Sequence, residues 1–441
     1  MPIRRLSVFL SLFLVTASAA LAQNDLTARV DQQARALEDK VIAWRHDIHQ
    51  HPELSNREFK TAQKVAEHLR SLGMEVQTEV AHTGVVGLLK GGLPGPVVAL
   101  RADMDALPVT ERVDIPWASQ VTTEYNGEEV GVMHACGHDT HVAILMGVAE
   151  VLNGMKDELK GTVKFIFQPA EEGAPQGEEG GAELMVEEGV MTNPDVDAVF
   201  GLHINSQTEV SKIGYRPEGT MASSDRLEIK VKGSQTHGAY PWNGVDPIVT
   251  ASQIVMGLQT IVSRNLELLQ APAVVTIGKI EGGVRNNIIP EEVTLIGTVR
   301  ALDTAMQSKI HRRVREIATH IGESAGAEVT VDIQRGYPVT YNDPELTAQM
   351  LGTLERTAGK ENVLLRNAVT GAEDFSYLAQ EAPGLFVFLG GMPAGTDPDE
   401  AAPHHTPDFY VDDSGLLLGV RALSNLTLDY MEQHAASARG K

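Results

Sequence analysis

The sequence contains one cysteine, Cys136, among its 441 residues. A single cysteine cannot close an internal disulfide, so a scaffold held together by disulfides is excluded. Aromatic residues are few, at 5%, and no apolar run after residue 22 is long enough to cross a membrane. These absences indicate a soluble globular chain of enzyme size, with room for about two or three domains.

Positive charge is also scarce, because 36 lysines and arginines stand against 59 aspartates and glutamates. The net charge of −23 opposes binding to phosphate backbones and to anionic lipids. We therefore expect neither nucleic acid nor a membrane surface as a partner of the mature protein.

Residues 1–22 have the pattern of a secretory signal peptide. Arg4 and Arg5 precede an apolar run that ends in the small-residue cleavage site Ala20-Leu21-Ala22. The run is short for a spanning helix, so an uncleaved membrane anchor is the less favoured alternative. We predict an exported protein, periplasmic or secreted, whose mature chain begins near Gln23.

The order of predicted helices and strands divides the mature chain into two domains. In residues 23–218 and 337–441, helices alternate with short β-branched strands, which predicts a mostly parallel sheet with helices on both faces. Between residues 219 and 336 the order is βαββαβ, the ferredoxin-like unit. We therefore predict an α/β catalytic domain with a smaller α+β domain inserted into it.

The segment Met133-His134-Ala135-Cys136-Gly137-His138-Asp139-Thr140-His141 carries a cysteine, three histidines and an aspartate before a helix predicted at 141–152. The glycine allows Cys136 and His138 to converge on one ion, and thiolate and imidazole both bind zinc and neighbouring transition metals. The alternative is a helix-capping loop with incidental histidines.

Glu171 and Glu172 directly follow a strand predicted at 162–168. Ligands of parallel sheets bind at the carboxyl ends of the strands. One glutamate can then bind a metal while the other takes a proton from water. A solvated surface pair is the usual alternative for adjacent glutamates, and the position after a strand argues against it.

Three further segments bring polar side chains to the same edge of the predicted sheet. His203 follows a β-branched stretch, and His405 precedes the final helix. Asp103 and Asp105 follow another strand at alternate positions, so both face one side. We expect an aspartate here to orient a histidine ligand, with a plain turn before Pro108 as the alternative.

In combination these motifs resemble the aminoacylase/carboxypeptidase metallohydrolases, and among them the hippurate hydrolases and the amidohydrolases of indole-3-acetyl-amino acids. The resemblance covers nearly the whole mature chain. Its motifs, in order, are Arg45-His46-Asp47-Ile48-His49, Pro52-Glu53-Leu54, Arg101-Ala102-Asp103-Met104-Asp105-Ala106-Leu107-Pro108, His134-Ala135-Cys136-Gly137-His138-Asp139, Gln168-Pro169-Ala170-Glu171-Glu172, Gly201-Leu202-His203, Thr370-Gly371-Ala372-Glu373-Asp374-Phe375 and His405-Thr406-Pro407-Asp408-Phe409.

The resemblance implies a site for two divalent metal ions, manganese or zinc. The implied ligands are Cys136, His138, Glu172, His203 and His405. It also implies Glu171 as the general base, with Asp105 orienting a ligand. Other branches of the family have His-x-Asp where Asp103-Met104-Asp105 stands here, so the role of Asp103 stays open.

The resemblance also assigns functional residues to the inserted domain, which acts as a lid and commonly forms a homodimer. It implies that His237 and Asn287 are carried to the substrate. We expect His237 to donate a hydrogen bond to the oxyanion, and Asn287 with Arg300 to bind an α-carboxylate. The alternatives are a surface-loop histidine for His237 and a surface ion pair for Arg300.

The predicted reaction is hydrolysis of the amide bond of an N-acyl or N-aroyl amino acid or of a short peptide. Glu171 takes the proton of the attacking water and passes it to the leaving amine. We expect Cys136 to be a metal-held thiolate, protected when metal is bound and reactive when it is stripped. Two alternatives are a cysteine-nucleophile amidase that uses Cys136 and a non-catalytic periplasmic protein that binds metal or peptide.

Overall fold

The computed structural model describes the side chains of residues 26–435 and, before them, the backbone of the first helix from Arg4. The signal peptide predicted over residues 1–22 lies outside the residues whose side chains are described, so it stays a prediction. The chain divides into two compact units. Unit 1 comprises Met1–Tyr215, Asp343–Arg366 and Leu378–Lys441, and unit 2 comprises Arg216–Asn342 and Asn367–Tyr377.

The helices and strands of the described residues are numbered in chain order. The helices are α1 Arg4–Gln50, α2 Phe59–Ser71, α3 His138–Asn153, α4 Gly181–Glu187, α5 Pro247–Thr260, α6 Thr304–Ala325, α7 Pro344–Ala358, α8 Phe375–Glu381 and α9 Leu416–His434. The strands are β1 Glu75–Val80, β2 Gly84–Lys90, β3 Leu93–Asp103, β4 Thr122–Tyr125, β5 Glu128–Gly131, β6 Lys160–Gln168, β7 Ala198–Glu209, β8 Ile213–Tyr215, β9 Glu218–Met221, β10 Asp225–Lys232, β11 Thr236–His237, β12 Ala273–Gly282, β13 Ile288–Ile289, β14 Glu292–Ala301, β15 Glu328–Arg335, β16 Thr340–Asn342, β17 Val363–Leu365 and β18 Gly384–Met392.

The main element of unit 1 is a mixed sheet with the strand order β1-β2-β6-β3-β7-β18-β8-β17. Its centre is parallel, because β3 pairs in parallel with β6 and β7, and β7 pairs in parallel with β18. Every residue of β18 is buried, which requires cover on both faces of the sheet. This confirms the predicted mostly parallel sheet.

Helix α3 supplies much of the cover, and it is buried along nearly its whole length. Its sequence is apolar on all sides, which is typical of a helix inside a core. The helix begins at His138, three residues before the predicted start. The reason is Gly137, whose φ of +95° is in the left-handed region, and where an added Cβ would lie 2.3 Å from Ile204 Cγ2.

Unit 2 contains an antiparallel sheet with the strand order β12-β14-β10-β15. In the chain, α5 follows β10 and α6 follows β14. Burial alternates along β10, where Leu227, Ile229 and Val231 are buried in the same core as Ile254 and Ile310. The order of elements is βαββαβ, so the predicted ferredoxin-like unit is confirmed. The domain was predicted to contain 219–336, and unit 2 extends further.

The extension of unit 2 has a clear cause in hydrogen bonding. Strand β9, which precedes the ferredoxin-like unit in the chain, pairs with β16, which follows that unit. The backbone N–H of Val369 donates to Thr220 O, and that of Ala222 donates to Gly371 O. Residues 367–377, assigned from the sequence to the larger domain, are therefore held by unit 2. Hydrogen bonds between segments 149 residues apart in the chain leave no local sequence pattern.

Two strand pairings of unit 1 were also missed from the sequence. Strand β1 is mostly exposed at one edge of the sheet, so its residues lack an apolar alternation. Strands β4 and β5 form a separate hairpin with mostly exposed residues. In the part of the chain with described side chains, no helix combines the length and the apolar composition needed to cross a bilayer.

Candidate metal and catalytic site

The register of the parallel strands sets the position of the site. Asp103, at the end of β3, lies opposite Gln168, at the end of β6. Arg101 lies opposite Gly201 of β7, so His203 is level with Asp103 across the sheet. The carboxyl ends of three neighbouring strands and the loops that follow them therefore meet at one edge, as predicted.

One group of side chains surrounds Cys136. Its Sγ lies 3.4 Å from His203 Nε2 and 3.3 Å from His405 Nε2. The same Nε2 of His405 lies 3.0 Å from Glu172 Oε1. A sulfur, two imidazole nitrogens and a carboxylate oxygen thus converge on a space of atomic size.

A second group surrounds His138. Its Nδ1 lies 2.9 Å from the carbonyl oxygen of Asp105 and 3.2 Å from Asp105 Oδ1. Its Nε2 is buried, lies 3.8 Å from Asp103 Oδ2 and 3.9 Å from Glu171 Oε2, and has no hydrogen-bond partner among the described residues. An orphaned ring nitrogen that faces carboxylates is the arrangement expected of a histidine ligand.

The two groups share members. Ligand-type atoms lie within 4.8 Å of one another in three overlapping sets: Cys136 with His138 and His203, Cys136 with Glu172 and His405, and His138 with Glu171 and Glu172. The structure therefore brings together all five predicted metal ligands and the predicted general base. We refer to these six residues, with Asp103 and Asp105, as the ligand cluster.

The electrostatics of the ligand cluster favour positive charge. Burial lowers the pKa of His138, but Asp103 and Asp105 more than reverse this and raise it to about 10. Burial and then the neighbouring His141 and His404 lower the pKa of His203, which keeps this ring neutral and able to donate a lone pair. The carboxylates of the ligand cluster therefore stabilise positive charge at His138.

The thiol of Cys136 behaves differently from the expectation. Burial, and then Glu172 and Glu171, raise its pKa well above its ordinary value. Without a bound cation the thiol is therefore neutral, and it is only 8% exposed. The expected high reactivity of the stripped cysteine does not fit these surroundings, whereas a cation close to the sulfur would favour the thiolate.

Of the two adjacent histidines, the structure favours His405 over His404 as a ligand. His404 Nε2 accepts from the N–H of Ser206, and His404 Nδ1 lies 3.2 Å from the carbonyl oxygen of Cys136. Both nitrogens of His404 are thus engaged with the backbone, and its Nδ1 lies 3.7 Å from Cys136 Sγ, farther than His405 Nε2. His405 instead directs Nε2 toward Cys136 and Glu172.

Asp103 and Asp105 contact the ligand residues and their neighbours through their carboxylates. Asp105 Oδ2 accepts from Ser55 Oγ at 2.7 Å and from the N–H of Glu172 at 3.0 Å, while Oδ1 contacts His138. Asp103 lies 2.6 Å from both Arg101 Nη1 and His141 Nδ1. Asp103, whose role the sequence left open, therefore orients His141. The sequence analysis included His141 in the histidine-rich segment but assigned it no role.

Glu58 is a residue that sequence reasoning missed. It is fully buried, and the oxygens of its carboxyl group accept from the N–H of Ala170 at 2.9 Å and from Thr83 Oγ1 at 2.5 Å. Ala170 has a φ of +53°, an uncommon conformation for a residue with a Cβ. Glu58 thus holds the strained loop that carries Glu171 and Glu172. Glu58 directly precedes α2 and does not follow a strand, so its position in the sequence did not indicate a place at the site.

Asp139, the neighbour of His138, belongs to a second buried group of charges, which we call the structural network. Asp139 Oδ2 lies 2.8 Å from Arg45 Nε and 2.9 Å from His49 Nδ1. Arg45 also contacts Asp413 at 3.0 Å, and His49 contacts Glu111 at 3.1 Å. This network ties α1 to the beginning of α3.

The predicted substrate-contacting residues lie in unit 2. His237 is exposed on β11 and pairs with Ile288 of β13, and the N–H of Gly238 donates to the carbonyl oxygen of Asn287. His237 and Asn287 are therefore close neighbours. The side-chain Oδ1 of Asn287 is buried and has no hydrogen-bond partner among the described residues. Arg300 lies on β14, opposite Val274, and is half-buried.

Comparison with known proteins identifies the family. The family model described as Peptidase family M20/M25/M40 matches residues 99–429. The chain belongs to this family. M20 membership confirms the predicted resemblance and the enzyme class, a metallohydrolase that acts on amide bonds.

Individual M20 relatives match over most of their length. Thermostable carboxypeptidase 2 of Saccharolobus solfataricus is 40% identical over 408 residues, which are 92% of this chain and 99% of that protein. IAA-amino acid hydrolase ILR1-like 4 of Arabidopsis thaliana is 36% identical over 407 residues, 91% of this chain and 88% of that one. The crystal structure of the Bacillus subtilis YXEP protein, a dinuclear metal binding peptidase from the M20 family, has 34% identity and a TM-score of 0.76, and covers 90% of this chain and 99% of its own.

Proposed function

We propose that this M20 protein is an exported amidohydrolase with two divalent metal ions, which cleaves N-acyl or N-aroyl amino acids or short peptides. The observation that carries the proposal is the convergence of the ligand atoms of Cys136, His138, Glu172, His203 and His405 in overlapping sets within 4.8 Å. The names of the relatives, a carboxypeptidase and an IAA-amino acid hydrolase, support this range of substrates.

The donor set suits manganese or zinc, because thiolate, imidazole and carboxylate are ligands of zinc and neighbouring transition metals. The overlapping sets of ligand atoms give room for more than one ion, and the YXEP relative is described as dinuclear. Bound ions would lower the pKa of a coordinated water and polarise the substrate carbonyl. The raised pKa of His138 supports this assignment, since the same carboxylates would attract a dication.

Glu171 is proposed as the general base. It is buried, and its Oε2 lies 3.9 Å from His138 Nε2, beside the ligand atoms but outside the contacts made by Cys136. It takes the proton of the attacking water and returns it to the leaving nitrogen. Asp105 positions His138 by accepting from Nδ1, which leaves Nε2 with its lone pair toward the metal.

Unit 2 is proposed to contact the substrate and to form a homodimer. His237 would donate to the oxyanion, and Asn287 with Arg300 would bind the α-carboxylate. The adjacency of His237 and Asn287 supports a shared role, and the unsatisfied Oδ1 of Asn287 is suited to a bound ligand. The pattern of residues 1–22 supports export.

The test is a mass-spectrometric hydrolysis screen of N-acyl amino acids and dipeptides with metal-reconstituted protein. We expect chelation to abolish turnover and Mn²⁺ or Zn²⁺ to restore it. Glu171→Gln should lower kcat by about 100-fold or more while it binds metal normally. Glu183→Gln, at an exposed glutamate of α4, is the matched control.

Two results would reject the proposal. Activity that survives chelation and is lost on thiol alkylation would favour a cysteine nucleophile at Cys136. Wild-type protein that binds metal but hydrolyses nothing in the panel would favour a non-catalytic binding protein.

A further inference from the structure

A cavity of about 670 Å³ opens in unit 1 beside Glu172. This volume is within the range of about 300–1,000 Å³ that is typical of small-molecule sites. Four segments form its walls: the turn after α1, the residues after β3, the β4–β5 hairpin and the loop after Glu172. We refer to it as the hairpin cavity.

The hairpin cavity adjoins the ligand cluster at Glu172. Glu172 lines the cavity and also contacts His405 at 3.0 Å. Ala106, which directly follows Asp105, lines the cavity too, and its N–H donates to the carbonyl oxygen of Glu53 at 2.8 Å. A substrate whose carbonyl lies at the ligand cluster can therefore extend one end into the cavity.

Apolar side chains form much of the cavity wall. Leu54, Leu107, Pro108, Val121 and Pro175 line it, and each is half-buried. Half-burial of several apolar side chains around one cavity leaves apolar surface that a ligand would cover. The wall therefore favours an apolar occupant.

Three of the charged or titratable groups at the cavity are engaged with other parts of the protein. Arg57 pairs with Glu178 at 2.5 Å, and His51 lies 2.8 Å from the carbonyl oxygen of Asp47. Glu53 accepts from the backbone N–H groups of Lys60 and Thr61 and so caps α2. The exposed Lys60 and Glu124 also line the cavity, so three glutamates stand against the two cations Arg57 and Lys60. This surplus of negative charge disfavours a carboxylate, which would also lose its hydration on entry.

We propose that the hairpin cavity binds the acyl side of the substrate and selects an apolar or aromatic acyl group. This inference rests on the proposed function. An N-acyl amino acid has one charged end, its α-carboxylate, and one uncharged end. Only the uncharged end matches the walls of this cavity, so the substrate is oriented with its acyl group between the β4–β5 hairpin and the turn after α1.

The test compares three glycine conjugates that differ only in the acyl group: acetyl, hexanoyl and benzoyl. Val121→Trp fills the cavity from the residue before β4. We expect the ratio of kcat/KM for benzoyl over acetyl, and for hexanoyl over acetyl, to fall by about tenfold or more. Thr122→Trp, at an exposed lining position that spares the core, should shift the ratios in the same direction.

Leu365→Trp is the matched control, because it adds the same side chain at an exposed site of β17 outside the cavity. It should leave both ratios unchanged. Equal losses for all three conjugates in the Val121 and Thr122 variants would overturn the inference. A wild type inactive on all three conjugates, and on the wider panel, would reject the proposed function and the inference with it.

Discussion

His138 and Asp139 are adjacent at the beginning of α3, yet they belong to two buried groups of charges with opposite designs. In the structural network each cation meets a carboxylate of the protein: Arg45 contacts Asp139 and Asp413, and His49 contacts Asp139 and Glu111. Burial raises the pKa of Asp139, but Arg45 and His49 more than reverse this and hold it below its usual range.

The ligand cluster lacks this balance. Among its members four are carboxylates, whereas the described groups that can meet them with positive charge are Arg101 and the protonated forms of His138 and His405. The comparison teaches that burial of charge alone does not mark a functional site. In the ligand cluster, buried carboxylates outnumber the cationic side chains, and His138 Nε2 has no hydrogen-bond partner among the described residues. This combination indicates a site that an added cation would neutralise.

The largest expected effect is a loss of stability when the structural network is broken. Asp139→Ala leaves Arg45 buried without its main partner, so the free energy of unfolding should fall by about 3–5 kcal/mol. Urea unfolding of metal-free protein measures this. Asp399→Ala, at an exposed loop position, is the control and should change little. A loss below about 1 kcal/mol would contradict the assigned role of the network.

The next effect concerns the ligand cluster and should spare folding. Cys136→Ser should weaken metal binding by more than about 100-fold, the upper end of losses seen when only a neighbour of a ligand is changed. Because the thiol is neutral in the metal-free protein, the free energy of unfolding of that form should change by no more than about 1 kcal/mol. Competitive metal titration and urea unfolding separate the two effects, and metal binding at wild-type strength would refute the ligand role.

A smaller effect depends on pH. Burial, and then the charge of Asp105, raise the pKa of Glu58 to about 8. Since the folded state favours the protonated carboxyl, the free energy of unfolding should decrease as the pH rises from the usual carboxyl range to about 8.

Glu58→Gln keeps the shape and cannot ionise, so metal-free protein should lose about 1–3 kcal/mol less than wild type between pH 5 and pH 8. Urea titrations at four pH values measure the difference, with Glu67→Gln, exposed on α2, as the control. Parallel pH profiles of wild type and Glu58→Gln would show that Glu58 is not held protonated.

The smallest effect is the reactivity of Cys136. Chelated protein at pH 7 should be alkylated more slowly than a free cysteine, because the thiol is buried and its pKa is raised. The rate should increase with pH above the ordinary thiol range. Rapid alkylation at neutral pH on chelation would instead support the reactive stripped thiol expected from the sequence.

Sequence reasoning was most successful where local patterns carry the signal. The helix predicted at 141–152 and the strand predicted at 162–168 match α3 and β6 to within three residues at each end. Strand-end positions correctly suggested that Glu171, Glu172 and His203 would meet. Reasoning from the sequence failed for β1 and for residues 367–377, whose positions depend on pairing with distant segments rather than on their own composition.

The sequence by itself determined the family, the ferredoxin-like unit and the residues able to bind metal, because these depend on motifs and on periodicity within short stretches. Only the tertiary structure showed that His404 is engaged with the backbone, that Asp103 contacts His141, and that Glu58 accepts a hydrogen bond from the loop of the two glutamates. The contact of Cys136 with His405 spans 269 positions of the chain. Contacts over such distances are set by how the sheet and its loops pack, which no local pattern encodes.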